Sequence, residues 1–437
     1  MTSNLTYFIK NSLSVFGARI ILIFISIVGS VIVARILGPS NRGAMEILLL
    51  VPLLLVNFGN LGIGYANLYF TAKAIYPSDK VNSNSLSITL MLGGILFAIG
   101  FSWFSIYRGT FFKGIPNSYI FLVLSVIPWL LFQKFTQYSF LGKEDIRTRN
   151  IIVLTPAIVN IILTIILVAV IRLDLFGVLA ATLISNVIAG LLCYYFLSKE
   201  SKLRLRFNAK IFFESIKFGL IPFLALLVMN LNYRADMFLV KYYLNDTAVG
   251  LYGLGVSIVE KIWFLPEAIG IVLFARVSRI GEGESSKLTP VICRLSILVS
   301  AIMGMILFWS ADYIVPVVYG KQFKDAVQPL LVLLPGVVAM TIFLVLNGHL
   351  TGQGKAKVTL YVFSGSLILN IGLNMIWIPL FGITGAALAS TVSYSLGAFC
   401  LGVVFVRMNG IALTSIFVPK KEDYNRVVVP LLKGGFK

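Results

Sequence analysis

The apolar run FLALLVMNLNYRADMFLVKYYL (223–244) carries Asn230, Arg234, Asp236 and Lys241 among residues suited to lipid. A charged side chain at a helix centre in a bilayer costs about 2.5–3.5 kcal/mol on insertion scales, so it normally faces a cavity or a partner. In a helix, Asn230, Arg234, Met237 and Lys241 follow one another at steps of four, three and four and form one stripe. Asp236, two positions from Arg234, points elsewhere and leaves the guanidinium available to an anion. A guanidinium presents a planar fork of donors that matches the oxygens of phosphate or pyrophosphate. The chemistry expected here is recognition of an anion, without bond making.

Other basic residues lie equally deep. Arg19, Lys134 and Lys261 fall inside apolar segments, and with Asn230, Arg234 and Lys241 they form the candidate binding set. Ser257 and Lys261 share one helical face, and Glu260 and Glu267 share another. Arg19, Ser26 and Ser30 align, as do Asn57, Asn60, Gly64 and Asn67, and Gln133 and Gln137 lie beside Lys134. The amide stripes read equally well as interhelical hydrogen bonds. Asp236, Glu260 and Glu267 are read first as partners of basic groups. They are also the deep carboxylates through which proton or sodium coupling would have to run.

The elements that must hold these residues are membrane helices. The chain of 437 residues is 58% hydrophobic and 12% charged, more apolar surface than a soluble fold of this size can bury. With a ruler of roughly 20 residues per span, about twelve spans are expected. They lie near 13–37, 44–70, 85–107, 117–141, 150–171, 176–198, 212–240, 248–275, 289–311, 327–350, 357–380 and 383–407. Each is helical, because a helix satisfies its own backbone groups in lipid. No loop is long enough for a soluble domain, no P-loop is present, and the N-terminus reads as a short tail and a retained first helix. An enzyme, a nucleotide-driven pump and a nucleic-acid binder are therefore not expected. Cys193, Cys293 and Cys400 do not suggest a disulfide framework, and the single His349 reads as a buried or interfacial side chain rather than a metal ligand.

The formal charge of +19 is explained by orientation. With the N-terminus inside, the inner segments hold 22 Lys and Arg residues and the outer segments 8, so both termini are expected in the cytoplasm. The basic tail would lie on the membrane surface or remain unstructured.

A repeat organises the spans. LGKEDIRTRNIIVLTPAIVNIILTIILV (141–168) resembles TGQGKAKVTLYVFSGSLILNIGLNMIWI (351–378), and LFGVLAATLIS (175–185) resembles LFGITGAALAS (380–390). The expected architecture is an all-α polytopic membrane protein of two six-helix lobes, 1–205 and 206–410, followed by a tail, 411–437. Repeats of this kind place a substrate site between the halves.

Two stretches carry a family resemblance. VFGARIILIFISIVGSVIVARILGPSNRGAMEILLLVP (15–52) has LG at 37–38 and a glycine eight residues after Arg35. NYRADMFLVKYYLNDTAVGLYGLG (232–255) has R-x-D followed by V-G-x-Y. Both resemble the multidrug/oligosaccharidyl-lipid/polysaccharide exporter superfamily, in particular its Wzx-type O-antigen flippases. The resemblance implies transfer of an undecaprenyl-pyrophosphate-linked oligosaccharide across a bacterial inner membrane by alternating access, without a cofactor. Its implied partners are that lipid-linked sugar, membrane lipids and polysaccharide polymerase or chain-length machinery. Arg19, Arg234 and Lys261 would line its basic cavity. A multidrug exporter of this superfamily usually has an acidic residue deep in its first helix, which is lacking here. A lipid II flippase usually has two further helices. A structural membrane component that transports nothing would not explain a repeat with deep basic residues.

Overall fold

The computed structural model describes residues 2–200, 202–277 and 282–417. Most of the basic tail, 418–437, lies outside the described residues, as does Ser201. The regular elements among the described residues are helices: α1 (Thr2–Gly59), α2 (Ile63–Ala72), α3 (Ser78–Ile106), α4 (Asn117–Leu124), α5 (Ile127–Gly142), α6 (Ile146–Thr164) and α7 (Asp174–Glu200). They continue with α8 (Ala209–Tyr243), α9 (Asp246–Val259), α10 (Phe264–Val277), α11 (Glu282–Tyr319), α12 (Val327–Gly352), α13 (Ala356–Asn409) and α14 (Thr414–Phe417).

Among the described residues, ten helical stretches are long and apolar enough to cross a membrane. Two of them are broken once each, at Gly38 (φ 71°) and Gly382 (φ 61°), which makes twelve apolar segments. Both breaks use the left-handed region that favours glycine, and Pro39 then starts the next helix with its fixed φ. The turn at Gly38 is tighter than the gap between the expected spans 13–37 and 44–70, while the break at Gly382 falls in the two-residue gap between 357–380 and 383–407.

Several spans expected to be continuous are interrupted. The second breaks at Leu61 and Gly62, both with positive φ, between α1 and α2. There, a Cβ on Gly62 would lie 2.4 Å from the backbone of Gly219 in α8, so the two chains meet backbone to backbone. The eighth is interrupted by a 3-10 turn, Glu260–Trp263, just before Pro266. The fourth is divided between α4 and α5, where Pro128 opens the second piece. The fifth ends in a π turn, Ile165–Val170. Non-helical backbone at membrane depth is tolerated where protein or a polar cavity surrounds it.

By packing, the chain forms two compact units. Unit 1 is Met1–Asn230, Leu244–Gly250 and Val318–Gln322; unit 2 is Leu231–Tyr243, Leu251–Val317 and Phe323–Lys437. The division falls inside α8, whereas the repeat divides the sequence at 205/206. In unit 1, α6 packs on α7 and α1, and α5 on α2, α3 and α7. In unit 2, α12 packs on α10 and α13, with Gly348 against Gly270 and Gly336 against Thr391 at distances that leave no room for a Cβ. Small residues at these crossings let helices approach where lipid supplies no hydrophobic drive. Each copy of the repeat uses its asparagine alike: Asn160 donates to Thr182 (3.2 Å), and Asn370 donates to Ser390 (3.3 Å) and Ser393 (2.9 Å).

Candidate functional site

In unit 2, α8 presents Arg234 to the interruption of the eighth span. The 3-10 turn brings Glu260 within reach, and both guanidinium termini donate to it, Nη1 to Oε1 at 2.8 Å and Nη2 to Oε2 at 2.9 Å. The pair keeps side-chain exposures of 30% and 20%, so one side stays accessible. This corrects the expectation that Arg234 is left available. Its fork is already filled by a carboxylate, because a helix interruption moved Glu260 to where helical spacing could not show it. Glu260 therefore partners a basic group, as the sequence suggests.

Asp236 departs from that expectation. It is buried at 1% exposure and accepts from Tyr252 Oη (2.6 Å), the Met237 amide (2.8 Å) and Ser390 Oγ (3.2 Å). It forms no ion pair among the described residues. Hydroxyls and a backbone N–H take the place of a cation. The network continues from Ser390 through Asn370 to Asn374 Nδ2, which donates to Asn370 Oδ1 at 3.0 Å. Around it, Asn232 Oδ1 and Nδ2, Tyr233 Oη and Asn374 Oδ1 are buried without a hydrogen-bond partner. Asn232, one turn before Asp236, lies off the Asn230–Arg234–Lys241 stripe, and its i, i+4 spacing to Asp236 is the sequence signal for it.

The remaining members are spread out. Lys261 lies half-buried beside Glu260 and within the field of Arg234. Glu267 is half-buried in the first turn of α10, and Lys241 half-buried in the last turn of α8. Asn230 ends the first segment of unit 1 and donates to Leu226 O of its own helix at 2.8 Å. The Asn230–Arg234–Lys241 stripe is thus divided between the units.

Unit 1 holds a second group. Lys134, half-buried on α5, donates to Asn57 Oδ1 at 2.5 Å. One turn later, Tyr138 packs on Tyr65, with ring centroids 5.2 Å apart. The amide stripe is mostly structural: Asn60 Oδ1 receives the Gly64 amide at 3.3 Å, Asn67 donates to Ser85 at 2.8 Å, and Gln133 donates to Asn186 Oδ1 at 3.1 Å. Arg19, on α1, lies in the field of Arg149, and so does Tyr138. Arg149, in the first turn of α6, counts as a loop residue by span length. Its place beside Arg19 is a tertiary fact. His349 is buried and bonded through Nδ1 to Thr289 Oγ1 at 2.7 Å. Among the described residues no group of three or more His, Cys, Asp or Glu could hold a metal ion.

A family model described as polysaccharide biosynthesis protein matches residues 32–328. An uncharacterized membrane protein of Methanocaldococcus jannaschii is 23% identical over 390 residues, covering 85% of this chain and 91% of that one. A protein described as an O-antigen transporter of Shigella flexneri is 23% identical over 235 residues, 52% of this chain and 56% of that one. Among solved structures, a lipid II flippase in an inward closed conformation superposes with a TM-score of 0.74 at 13% identity, over 98% of this chain and 94% of that chain. The family match spans well over half the chain, and the twelve apolar segments agree with the fold. The chain belongs to the polysaccharide biosynthesis protein family and has the fold of the multidrug/oligosaccharidyl-lipid/polysaccharide exporters.

Proposed function

We propose that the protein carries an undecaprenyl-pyrophosphate-linked oligosaccharide from the cytoplasmic to the outer leaflet of a bacterial inner membrane, with both termini in the cytoplasm. The observation that carries this reading is the set of half-buried basic residues on helices, Arg19, Lys134, Arg234 and Lys261, in a chain of this family. Cationic side chains at membrane depth suit an anionic headgroup and oppose the organic cations of a multidrug exporter. Alternating exposure of these side chains to the two sides would move the headgroup while the prenyl chain stays in lipid. Polymerase or chain-length machinery would receive the product.

Arg234 enters this scheme through exchange. A phosphate group must share or displace the Glu260 carboxylate, because both ligands use the same pair of N–H donors. Glu260 then holds the guanidinium in place between turnovers. Asn230 and Lys241 extend the polar face of α8 on either side. Coupling to a proton or sodium gradient is assigned to Asp236, whose oxygen-rich surroundings include the unpartnered Asn232 and Asn374, with Glu260 and Glu267 as the other carboxylates.

The test is transfer in proteoliposomes. Purified protein in phosphatidylcholine vesicles receives a fluorescent prenyl-pyrophosphate-linked oligosaccharide in one leaflet, and its appearance in the other leaflet is followed by an impermeant quencher. Transfer faster than in protein-free vesicles is expected. A chain that moves a cationic dye and leaves the lipid-linked sugar in place would overturn the reading in favour of a multidrug exporter.

A further inference from the structure

Three cations of the described chain are matched by carboxylates. Arg42 pairs with Glu46 at 3.0 Å, Arg234 with Glu260, and nearer the surface Lys143 pairs with Glu200. Lys134 and Arg149 do not follow this pattern. The hydrogen bond of Lys134 goes to the neutral amide of Asn57, and that of Arg149 to the neutral amide of Asn150, at 3.2 Å. Neither forms a salt bridge among the described residues. Burying a cation against neutral acceptors leaves its charge uncompensated, which is costly unless an anion arrives.

Three helices bring these groups together. Lys134 and Tyr138 lie one turn apart on α5, Asn57 lies on the last turn of α1 before the interruption at Leu61–Gly62, and Arg149 opens α6. The three helices pack on one another within unit 1. Gly64, just past the interruption, lets the Tyr138 ring lie where a Cβ would stand, 2.6 Å from its edge. Lys134, Arg149, Tyr138, Tyr65 and Arg19 each keep part of their surface accessible. Arg149 and Arg19 stand close enough for their like charges to oppose each other. Such an arrangement is stabilised when an anion lies between the charges.

We propose that Lys134 and Arg149, with Arg19 beside them and the Tyr138 and Tyr65 hydroxyls as neutral donors, form a phosphate-binding subsite in unit 1 that takes the diphosphate of the cargo. Lys134 supplies a compact charge and Arg149 a planar fork, so the two together suit a polyanion with oxygens on adjacent phosphorus atoms. The diphosphate as occupant rests on the flippase reading; the anion site itself does not. Unlike Arg234, Lys134 and Arg149 can meet an anion without displacing a carboxylate among the described residues.

The experiment measures inorganic pyrophosphate binding by calorimetry to the full-length protein in phosphatidylcholine nanodiscs. Micromolar to millimolar binding is expected, weakened on the order of tenfold in Lys134→Gln and in Arg149→Gln. Arg149→Lys should recover part of it, and Lys113→Gln, an exposed outer cation, should bind as the parent does. Thermal melting of each variant establishes that it is folded; because the partners are neutral amides, the melting point should move little. Equal binding by the parent, Lys134→Gln and Arg149→Gln overturns the subsite. Repeating the titration in nanodiscs containing phosphatidylglycerol separates the sources of phosphate. Binding abolished there assigns the subsite to a lipid headgroup and overturns the diphosphate of the cargo as occupant. The proteoliposome assay keeps the two claims apart. A parent protein that binds pyrophosphate through Lys134 and Arg149 but transfers no lipid-linked sugar retains the subsite and refutes the flippase reading. Full transfer by variants that bind as the parent does refutes the subsite alone.

Discussion

Within unit 1, the helix starting at Pro39 and the helix starting at Asp246 cross at two glycines. A Cβ on Gly43 would lie 1.7 Å from Asp246 O, and one on Gly250 would lie 1.9 Å from Pro39 O. The contact is reciprocal. The differences 250 − 43 and 246 − 39 are both 207, so the two helix starts use the same positions against each other. Real Cβ contacts rarely fall below 3.0 Å, so Gly43→Ala needs a separation of about 1.3 Å and Gly250→Ala about 1.1 Å. The obstacle is a backbone carbonyl, which has no rotamer to escape into, so the helices themselves must part. Overpacking of this kind typically costs about 1–3 kcal/mol, and we expect each substitution near the top of that range. Once the helices have parted, the second methyl enters a gap already open. The double variant should therefore cost clearly less than the sum of the singles, with an interaction energy of about 1–2 kcal/mol. Gly94→Ala is the control, because nothing lies within 4 Å of the point where its methyl would stand, on an exposed helix face. Reversible unfolding in sodium dodecyl sulfate, with thermal melting alongside, reads the four proteins. Singles as stable as Gly94→Ala, or strictly additive singles, would refute the crossing.

Other outcomes follow from the same geometry. Arg234→Ala and Glu260→Ala should each cost about 2–3 kcal/mol, between exposed and fully buried pairs, and the double variant should cost less than their sum; additive losses in the same unfolding assay would mean the pair is not coupled. Asp236→Asn retains one acceptor oxygen but sets an amide against the Tyr252 hydroxyl, at a cost of about 1–2 kcal/mol. If Asp236 couples transport, this variant should transfer lipid-linked sugar at a rate independent of an imposed proton or sodium gradient, and retained gradient dependence would remove it from that role. In a background lacking Cys193, Cys293 and Cys400, cysteines at Ser201 and Ser415 should resist an impermeant thiol reagent in intact cells while one at Thr110 reacts. Labelling at Ser201 would reverse the orientation.

The fold was legible because lipid imposes a simple rule. Apolar runs of span length can only be helices there, and the repeat at 141–185 and 351–390 needs no structure to be seen. Breaks within spans were not legible to the same degree. Gly38 and Gly382 are not among them: both fall in the gaps between expected spans, 13–37 and 44–70, and 357–380 and 383–407. The interruption at Leu61–Gly62 depends on Gly219 meeting Gly62 backbone to backbone, an interaction 157 residues apart that helical periodicity cannot contain.

The candidate site divides along the same line. Residue type and depth were sufficient to select Arg19, Lys134, Arg234 and Lys261, because a cation in an apolar run is anomalous wherever it points. Partner choice was not, since it depends on helix interruptions. Glu260 reaches Arg234 only because α9 ends and a 3-10 turn begins there. Asp236, beside that arginine in sequence, instead turns to Tyr252 and Ser390, 16 and 154 residues away. Arg149 was hidden for the opposite reason: a basic residue next to a span boundary already has an explanation in orientation, so charge counting absorbs it. The same positive charge can anchor an inner loop and face Arg19, and the chemistry of its partners distinguishes the two. A loop anchor loses nothing when it meets a neutral amide, whereas a cation set against another cation at the head of α6 gains most when a polyanion enters between them.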